Sequence, residues 1–210
     1  MARAGRSFEE GRIYHVYNRV GGGSREFSDE ELAATFVTLL RLAMGRDEAA
    51  VLAWSLLGNH YHLVVRQGPV PLSRPMKTLQ QGVARARNLR CQVFGPLWQG
   101  RFKAKEVVDE RYLMQLIAYV HLNPVKAGLA EDVGGYRWSG HRDIVDGRRD
   151  PIVAVDDVLL LYGETRRRAL RAYRSAMARV VGEEWSDAAP GKLPWWRMGR
   201  QGGNSGPWRT

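Results

Sequence analysis

The most constraining feature of this 210-residue chain is a pair of apolar runs joined by Gly58-Asn59. Residues 50–57 form a continuous apolar run, which is typical of a buried central strand, and Gly-Asn is a two-residue hairpin signal. We therefore predict that residues 60–66, HYHLVVR, pair antiparallel with this strand. Because side chains alternate along a strand, His60 and His62 share one face at a spacing that allows both to bind one metal ion. The spacing alone is a weak signal, because isolated pairs of this kind are more common on solvated sheet faces.

Composition limits the class of protein. With 44% hydrophobic residues, the chain can form one sizeable core plus an appendage. The single cysteine, Cys91, excludes an intrachain disulfide and a cysteine-rich zinc site, which favours a reducing compartment. The amino terminus has no apolar segment typical of a signal peptide, and no stretch is long and apolar enough to span a bilayer. We expect a cytoplasmic, nucleoid-associated protein with no membrane partner.

The charge distribution favours a polyanionic partner. The net charge is +10, and no carboxylate occurs between Glu48 and Glu106, the stretch that contains both histidines. Such a positive region suits nucleic acid, since phosphates are attracted and their counterions released, although charge runs are more often only a solvated surface. The candidate DNA-binding residues, one of them an aromatic residue able to stack on bases, are Arg66, Lys77, Arg85, Arg87, Arg90, Trp98, Arg101, Lys103 and Lys105.

The remaining elements follow from hydrophobic periodicity and from capping signals. Residues 12–20 alternate as a strand, and a helix capped by Ser28 runs to about Gly45. After the hairpin we predict a basic helix at 76–92, a strand at 97–108, and a helix that Asp109 caps and Pro124 ends.

This order of elements predicts an α+β fold. Strand, helix, strand, strand, helix, strand is the split βαβ, or ferredoxin-like, arrangement, with an antiparallel sheet and helices on one face. The helix that follows Asp109 is then expected to face the histidine strand from the other side of the sheet. We assign this domain to residues 1–142, a helical extension to 143–185, and a poorly ordered tail to 186–210.

Tyr119 and Asn123 are four residues apart on the predicted helix and therefore share one face. A phenol can attack phosphorus and form a covalent phosphotyrosine, which splits strand transfer into two reversible steps. Its ordinary pKa near 10 means that it needs help, which a metal ion on the scissile phosphate would provide in part. Two imidazoles and the Asn123 carbonyl would make a three-ligand metal site.

Five segments together resemble a known family, the single-tyrosine HUH transposases, and within it the REP-associated tyrosine transposases. The resemblance covers roughly residues 8–142 and is specific only as a combination. The segments are YHVYNR at 14–19, GNHYHLVV at 58–65, LWQGRFKA at 97–104, YVHLNPVKAGL at 119–129 and YRWSG at 136–140. Tyr61 is bulkier than the usual aliphatic residue between the histidines, and Pro124 is expected to push Asn123 out of the helical backbone region.

The resemblance implies a metal-dependent nuclease and strand transferase for single-stranded DNA that recognises palindromic hairpins. It implies that His60 and His62 are metal ligands, that Tyr119 is the nucleophile, and that Asn123 is a third ligand. We expect magnesium or manganese, of which manganese suits imidazole better. The protein is expected to be a monomer or a homodimer.

Several alternatives remain open from the sequence alone. Tyr112 lies on nearly the same helix face as Tyr119, about 10 Å along the axis, and is expected to pack. We expect His121 to be a surface or packing residue, and His15 and His141 to be structural or to contact substrate. The chain could instead be a non-catalytic DNA-hairpin or RNA-binding protein, or a metal-dependent phosphoesterase that uses water.

Overall fold

The structure is a computed structural model that describes residues 8–182. The predicted tail at 186–210, the last residues of the predicted extension and residues 1–7 lie outside the described part of the chain.

The centre of the fold is a four-stranded antiparallel sheet. In the order of the sheet, its strands are β2 (Ala50–Leu56), β3 (His60–Arg66), β1 (Ile13–Arg19) and β4 (Lys103–Val107). The longer helices that follow these strands in the chain are α1 (Glu30–Arg46), α2 (Ser73–Cys91) and α3 (Glu110–Lys126). This element order and this strand order confirm the predicted split βαβ arrangement, and the predicted hairpin pairs Leu56 with Tyr61.

The two faces of the sheet carry different helices. Helices α1 and α2 pack on each other and cover one face, where the Tyr61 ring lies 5.2 Å from the Phe36 ring. The Tyr61 hydroxyl also accepts a hydrogen bond from Gln80 of α2 at 2.7 Å. Helix α3 covers the other face and packs mainly against β2 and β3. The bulky Tyr61 is therefore buried on the face opposite the histidines.

The carboxy-terminal extension packs on the side of α3. It contains three helices, α4 (His141–Val145), α5 (Val155–Leu160) and α6 (Arg166–Gly182), of which α5 contacts β2 and α6 contacts α3. Val153, Val158 and Tyr173 belong to the same hydrophobic core as the sheet. The short helix α4 has no counterpart among the predicted elements.

Two predicted boundaries are wrong for identifiable reasons. The cap of α1 is Asp29, whose carboxylate accepts hydrogen bonds from the backbone amides of Glu31 and Leu32, and Ser28 ends a short 3-10 turn. The strand predicted at 97–108 is continuous only from Lys103, because Gly100 leaves the ladder and its carbonyl accepts a hydrogen bond from the Asn18 side chain at 2.9 Å.

Two further boundary errors involve proline. Helix α2 begins before Pro75, which lies in the first turn, where a backbone amide has no intrahelical partner to lose. Helix α3 continues through Pro124 to Lys126, so the prediction that Pro124 ends it is wrong. The proline lies in the last turn with its side chain buried. Asn123 therefore stays helical and keeps its four-residue spacing to Tyr119.

Candidate active site

The candidate site lies between β1, β3 and α3. In this antiparallel register Tyr17 is opposite His62 and Arg19 is opposite His60, so these four side chains are on one face of the sheet. His15 is on the same face two residues along β1. Helix α3 lies over this face, as predicted.

His62 is buried between the sheet and α3, with 2% of its surface exposed. Its Nδ1 is 3.0 Å from Nε2 of His15, and its ring lies edge-on to the Tyr119 ring at 5.6 Å. Burial lowers the pKa of His62 well below its usual range, and the neighbouring His15 and His60 lower it further. The solvated sheet face on which isolated pairs of this kind are more common is therefore not the environment of His62, since α3 closes over it.

His60 is only partly buried and lies 5.2 Å from the His62 ring, at an interplanar angle of 89°. Its Nδ1 bonds to the side-chain oxygen of Asn59 at 2.8 Å. Burial, with a smaller contribution from Arg19, lowers the pKa of His60 to about 4. Both imidazoles are thus neutral near pH 7, which is the form that binds metal ions.

Tyr119 reaches the histidines from α3. Its ring is half-buried, and its side chain is hydrogen-bonded to Asn123, one turn further along the helix. Burial raises the pKa of Tyr119 to about 12, although the hydrogen bond to Asn123 opposes this shift. The phenol is therefore protonated at neutral pH.

Cations surround the entrance to this site. Lys103 and Lys105 of β4 are opposite Tyr17 and His15, and both lysines are exposed. The Lys105 ammonium is 5.9 Å from the centre of the Tyr112 ring, and that of Lys126 is 6.0 Å from the Tyr119 ring. A phosphate near Tyr119 would therefore meet positive charge from both β4 and α3.

The other predicted DNA-binding residues lie elsewhere. Arg66 is at the far end of β3 and pairs with Asp157 at 2.5 Å, and Arg101 is exposed in the loop before β4. Trp98 is half-buried and donates its indole N–H to the Gln80 carbonyl at 2.9 Å, which is a packing position. The remaining four, on α2 across the sheet from the histidines, are Lys77, Arg85, Arg87 and Arg90.

Sequence reasoning missed the contribution of β1 to the site. His15 is almost fully buried and contacts the ring of His62, so it orients a predicted ligand and is not an isolated structural residue. The alternating pattern of YHVYNR placed His15, Tyr17 and Arg19 on one face. It did not show which strand lies beside that face, because register depends on distant residues.

The remaining candidates are separated from the site. His121 points away from the sheet and is fully buried, with its Nδ1 2.8 Å from the Tyr173 hydroxyl of α6. The same hydroxyl is 2.8 Å from Nδ1 of His141. Both histidines are therefore structural, and the expectation of a packing role for His121 is confirmed. Tyr112 is partly buried in the first turn of α3 and packs against the core.

The donor set fits a divalent cation. The Nδ1 atom of each candidate histidine bonds to a protein group, so each ring would bind a metal through Nε2 and be oriented by its partner. Residues 8–182 contain no group of three His, Cys, Asp or Glu side chains able to hold a metal, and the predicted set has two such residues plus the Asn123 amide, whose oxygen would be the ligand atom.

Comparison with known proteins identifies the fold. No family model and no curated protein matches the sequence. A solved structure of a REP-associated tyrosine transposase bound to a REP hairpin matches 75% of this chain and 93% of its own, with 18% identity and a TM-score of 0.55. The chain has the fold of that transposase. A crystal structure from Deinococcus radiodurans R1, described as a transposase candidate, matches 57% of this chain and 95% of its own, with 19% identity and a TM-score of 0.40.

The comparison agrees with the resemblance found in the sequence. The shared fold and the four-stranded antiparallel sheet confirm the predicted fold class. No helix in the described range 8–182 is long and apolar enough to cross a membrane.

Proposed function

We propose that this protein is a metal-dependent nuclease and strand transferase that cleaves single-stranded DNA at palindromic hairpins through a 5′-phosphotyrosine intermediate. The observation that carries the proposal is the edge-on contact of the His62 and Tyr119 rings at 5.6 Å, with Asn123 hydrogen-bonded to the same phenol. These residues come from two distant segments of the chain, and they are the ones that the sequence resemblance implies. The fold shared with a hairpin-bound transposase supports the same activity.

The Tyr119 oxygen is the nucleophile in this proposal. It attacks the scissile phosphorus and loses its proton to water, while the bond from phosphorus to the 3′ oxygen breaks. The 3′ oxygen takes up a proton from water and leaves as a 3′ hydroxyl. The 5′ phosphate stays on the tyrosine, so the number of phosphoester bonds is unchanged. A 3′ hydroxyl can later attack this linkage, restore a phosphodiester and release the phenol.

Burial of Tyr119 makes the proton transfer demanding, because the pKa of the phenol is about 12. A bound divalent cation would polarise the phosphate and offset the negative charge that develops on its oxygens. His60 and His62 would hold that cation with Asn123, and His15 would keep the His62 ring in the binding orientation. Lys103, Lys105 and Lys126 would draw the DNA backbone toward the phenol.

The test is formation of a covalent protein–DNA adduct. Labelled single-stranded DNA from the flanks of the protein's own gene would be incubated with the full chain, with and without manganese, and resolved under denaturing conditions. We expect an adduct only with metal, and none with Tyr119→Phe. Tyr112→Phe is the matched control, since it removes a phenol from the same helix face and should keep the adduct.

Each other outcome contradicts the proposal in a defined way. An adduct that persists in Tyr119→Phe and disappears in Tyr112→Phe would assign the nucleophile to Tyr112. Cleavage without any adduct would indicate a phosphoesterase that uses water. Hairpin or RNA binding with neither cleavage nor adduct would indicate a non-catalytic binding protein.

A further inference from the structure

The exposed side of α6 is a concentrated positive surface that lies outside the candidate site. The helix sequence, RRRALRAYRSAMARVVG, contains no acidic residue. All five arginines between positions 166 and 174 are exposed. On a helix, residues 167, 171 and 174 form one stripe, because they are spaced by four and three positions.

These arginines differ from those of α2 in their partners. In α2, Arg87 pairs with Glu26 at 2.7 Å, and Arg90 pairs with Asp29 at 2.7 Å and also with Glu31. Of the five α6 arginines between positions 166 and 174, only Arg166 pairs with a carboxylate of the described residues, that of Asp156. The stripe at 167, 171 and 174 therefore keeps its charge available, whereas the charge of Arg87 and Arg90 is neutralised within the fold.

The shape and chemistry of this surface fit a sugar-phosphate backbone. The stripe lines a shallow groove of about 490 Å³, together with Leu170, Ser175 and Ala178. Among the described residues, three arginines and no aromatic side chain line this groove, so that part of its wall suits phosphates better than stacked bases. Guanidinium groups in a row instead suit the phosphates of a paired stem.

The opposite side of α6 fixes this surface relative to the site. Ala169, Tyr173 and Met177 are buried, and the Tyr173 hydroxyl bonds to His121 of α3. His121 is two residues from Tyr119 on the same helix. Since the apolar side of α6 is used in this packing, the helix has no apolar face left to insert into a membrane.

We infer that the α6 arginine stripe, Arg167, Arg171 and Arg174, binds the phosphate backbone of a paired DNA stem whose unpaired flank reaches Tyr119. This inference rests on the proposed function for the identity of the nucleic acid. Rigid attachment of α6 to α3 would then hold the stem at a fixed position relative to the nucleophile, and sequence would be read elsewhere.

The test uses the full chain and separates the loss of arginine charge from the structural effect of substitution. Arg167→Gln/Arg171→Gln removes two charges, and Arg167→Lys/Arg171→Lys keeps them. Binding of a labelled DNA hairpin with a paired stem of arbitrary sequence would be measured across salt concentrations. We expect the Gln variant to flatten the slope of log Kd against log salt by about 2, roughly one per lost contact. The Lys variant should match the wild-type protein.

A competing pair on α2 makes the comparison decisive. Lys77→Gln/Arg85→Gln removes two exposed charges from α2. If this variant loses as much slope as the α6 variant, or more, the inference fails, because the effect is then not specific to α6. Three other results would also overturn it. The first is an unchanged slope in the α6 Gln variant, and the second is an equal loss of slope in the α6 Lys variant. The third is that the α6 Gln variant loses binding to phosphatidylserine vesicles but not to the DNA hairpin.

The assay separates this inference from the proposed function, because hairpin binding is measured without cleavage. If the salt slope depends on α6 but no adduct ever forms with Tyr119, the stem-binding surface stands and the proposed activity fails. If the adduct forms and the slope does not depend on α6, the activity stands and this inference fails.

Discussion

Helix α3 carries a histidine–tyrosine cluster on each of two sides, and the two clusters differ in access. The site cluster, His15, His60, His62 and Tyr119, lies between α3 and the sheet. The rear cluster, His121, His141, Tyr162 and Tyr173, lies between α3 and the extension. Both contain rings 5 to 6 Å apart and hydrogen bonds of 2.8 to 3.0 Å at their histidines.

What separates the clusters is exposure and surrounding charge. His121 and Tyr173 are fully buried, and His141 nearly so, whereas His60 and Tyr119 are partly accessible. Arg19 and Lys105 are close enough to the site cluster to lower the pKa of His60 and of His15. Residue types alone would therefore not distinguish a reactive site from a polar contact that joins helices. Access for a phosphate does distinguish them, and so does the sign of the surrounding charge, because His141 has Asp146 and Asp132 nearby as well as Arg174.

The largest expected difference between the clusters concerns the two phenols. Tyr119→Phe should abolish the covalent DNA adduct, because the nucleophilic oxygen is lost. Tyr173→Phe should retain the adduct per folded molecule, since the rear phenol cannot reach DNA. The measurement is adduct yield on a denaturing gel, normalised to folded protein by circular dichroism. Loss of adduct in a folded Tyr173→Phe variant would show that the rear cluster takes part in the reaction.

The second difference concerns manganese. Removal of a side chain that only orients a metal ligand typically weakens metal binding roughly 10–100-fold. Loss of a metal ligand itself should therefore weaken metal binding at least about 100-fold. His62→Ala should therefore weaken Mn²⁺ binding by at least that factor in isothermal titration calorimetry, and His141→Ala should leave it unchanged. His60→Ala gives the same test at a less buried position, should His62→Ala fail to fold. Equal binding in all variants would remove the metal from the mechanism.

The relation between sequence and structure also differs between the clusters. Alternation in β3 placed His60 and His62 together, and helical spacing placed Tyr119 with Asn123, because both rules act over a few residues. The contacts of His15 with His62 and of Tyr173 with His121 join residues 47 and 52 positions apart. Local periodicity contains no information on such pairs, which depend on strand register and helix docking.

The charges of α2 show the same limit. The absence of acids between Glu48 and Glu106 suggested an unopposed positive region, but Arg87 and Arg90 meet acids supplied by residues 26–31. A charge run in sequence is therefore a poor guide to the field in space, because partners arrive from distant segments. The same argument applies to Pro124, since packing of a buried proline can maintain a helix that local preference would end.

The third difference concerns stability, for which a substitution in the rear cluster should have a larger effect than one in the site cluster. Tyr173→Phe leaves the buried Nδ1 atoms of His121 and His141 without their shared hydroxyl, which should cost about 1–3 kcal/mol in the free energy of unfolding. Tyr119→Phe removes a hydroxyl at a partly accessible position and should cost less than about 1 kcal/mol. Urea unfolding of both variants provides the measurement. A larger loss in Tyr119→Phe would contradict the structural role assigned to the rear cluster.

The smallest expected effect is the pH dependence that His141 gives to stability. The pKa of His141 is lowered to about 4, mainly by burial; Asp146 opposes this shift, Arg174 adds to it, and Asp132 opposes it. Its other close neighbours, Tyr173 and His121, are neutral near pH 7, because burial raises the pKa of the phenol and lowers that of the imidazole. In the unfolded chain His141 titrates near 6.5. Between these values the unfolded state binds more protons, so stability is complete above about pH 6.5 and falls as the pH falls toward 4.

From pH 7 to pH 5 this residue should therefore contribute a loss of about 1–2 kcal/mol in the free energy of unfolding. In His141→Gln, which keeps a polar side chain but has no proton to gain, the same pH change should lower stability by correspondingly less. The measurement is urea unfolding of both proteins at the two pH values, with the difference between their pH slopes as the readout. Identical slopes would mean that burial does not keep His141 neutral. The rear cluster would then be as accessible to protons from solvent as the site cluster, in contradiction to its packing.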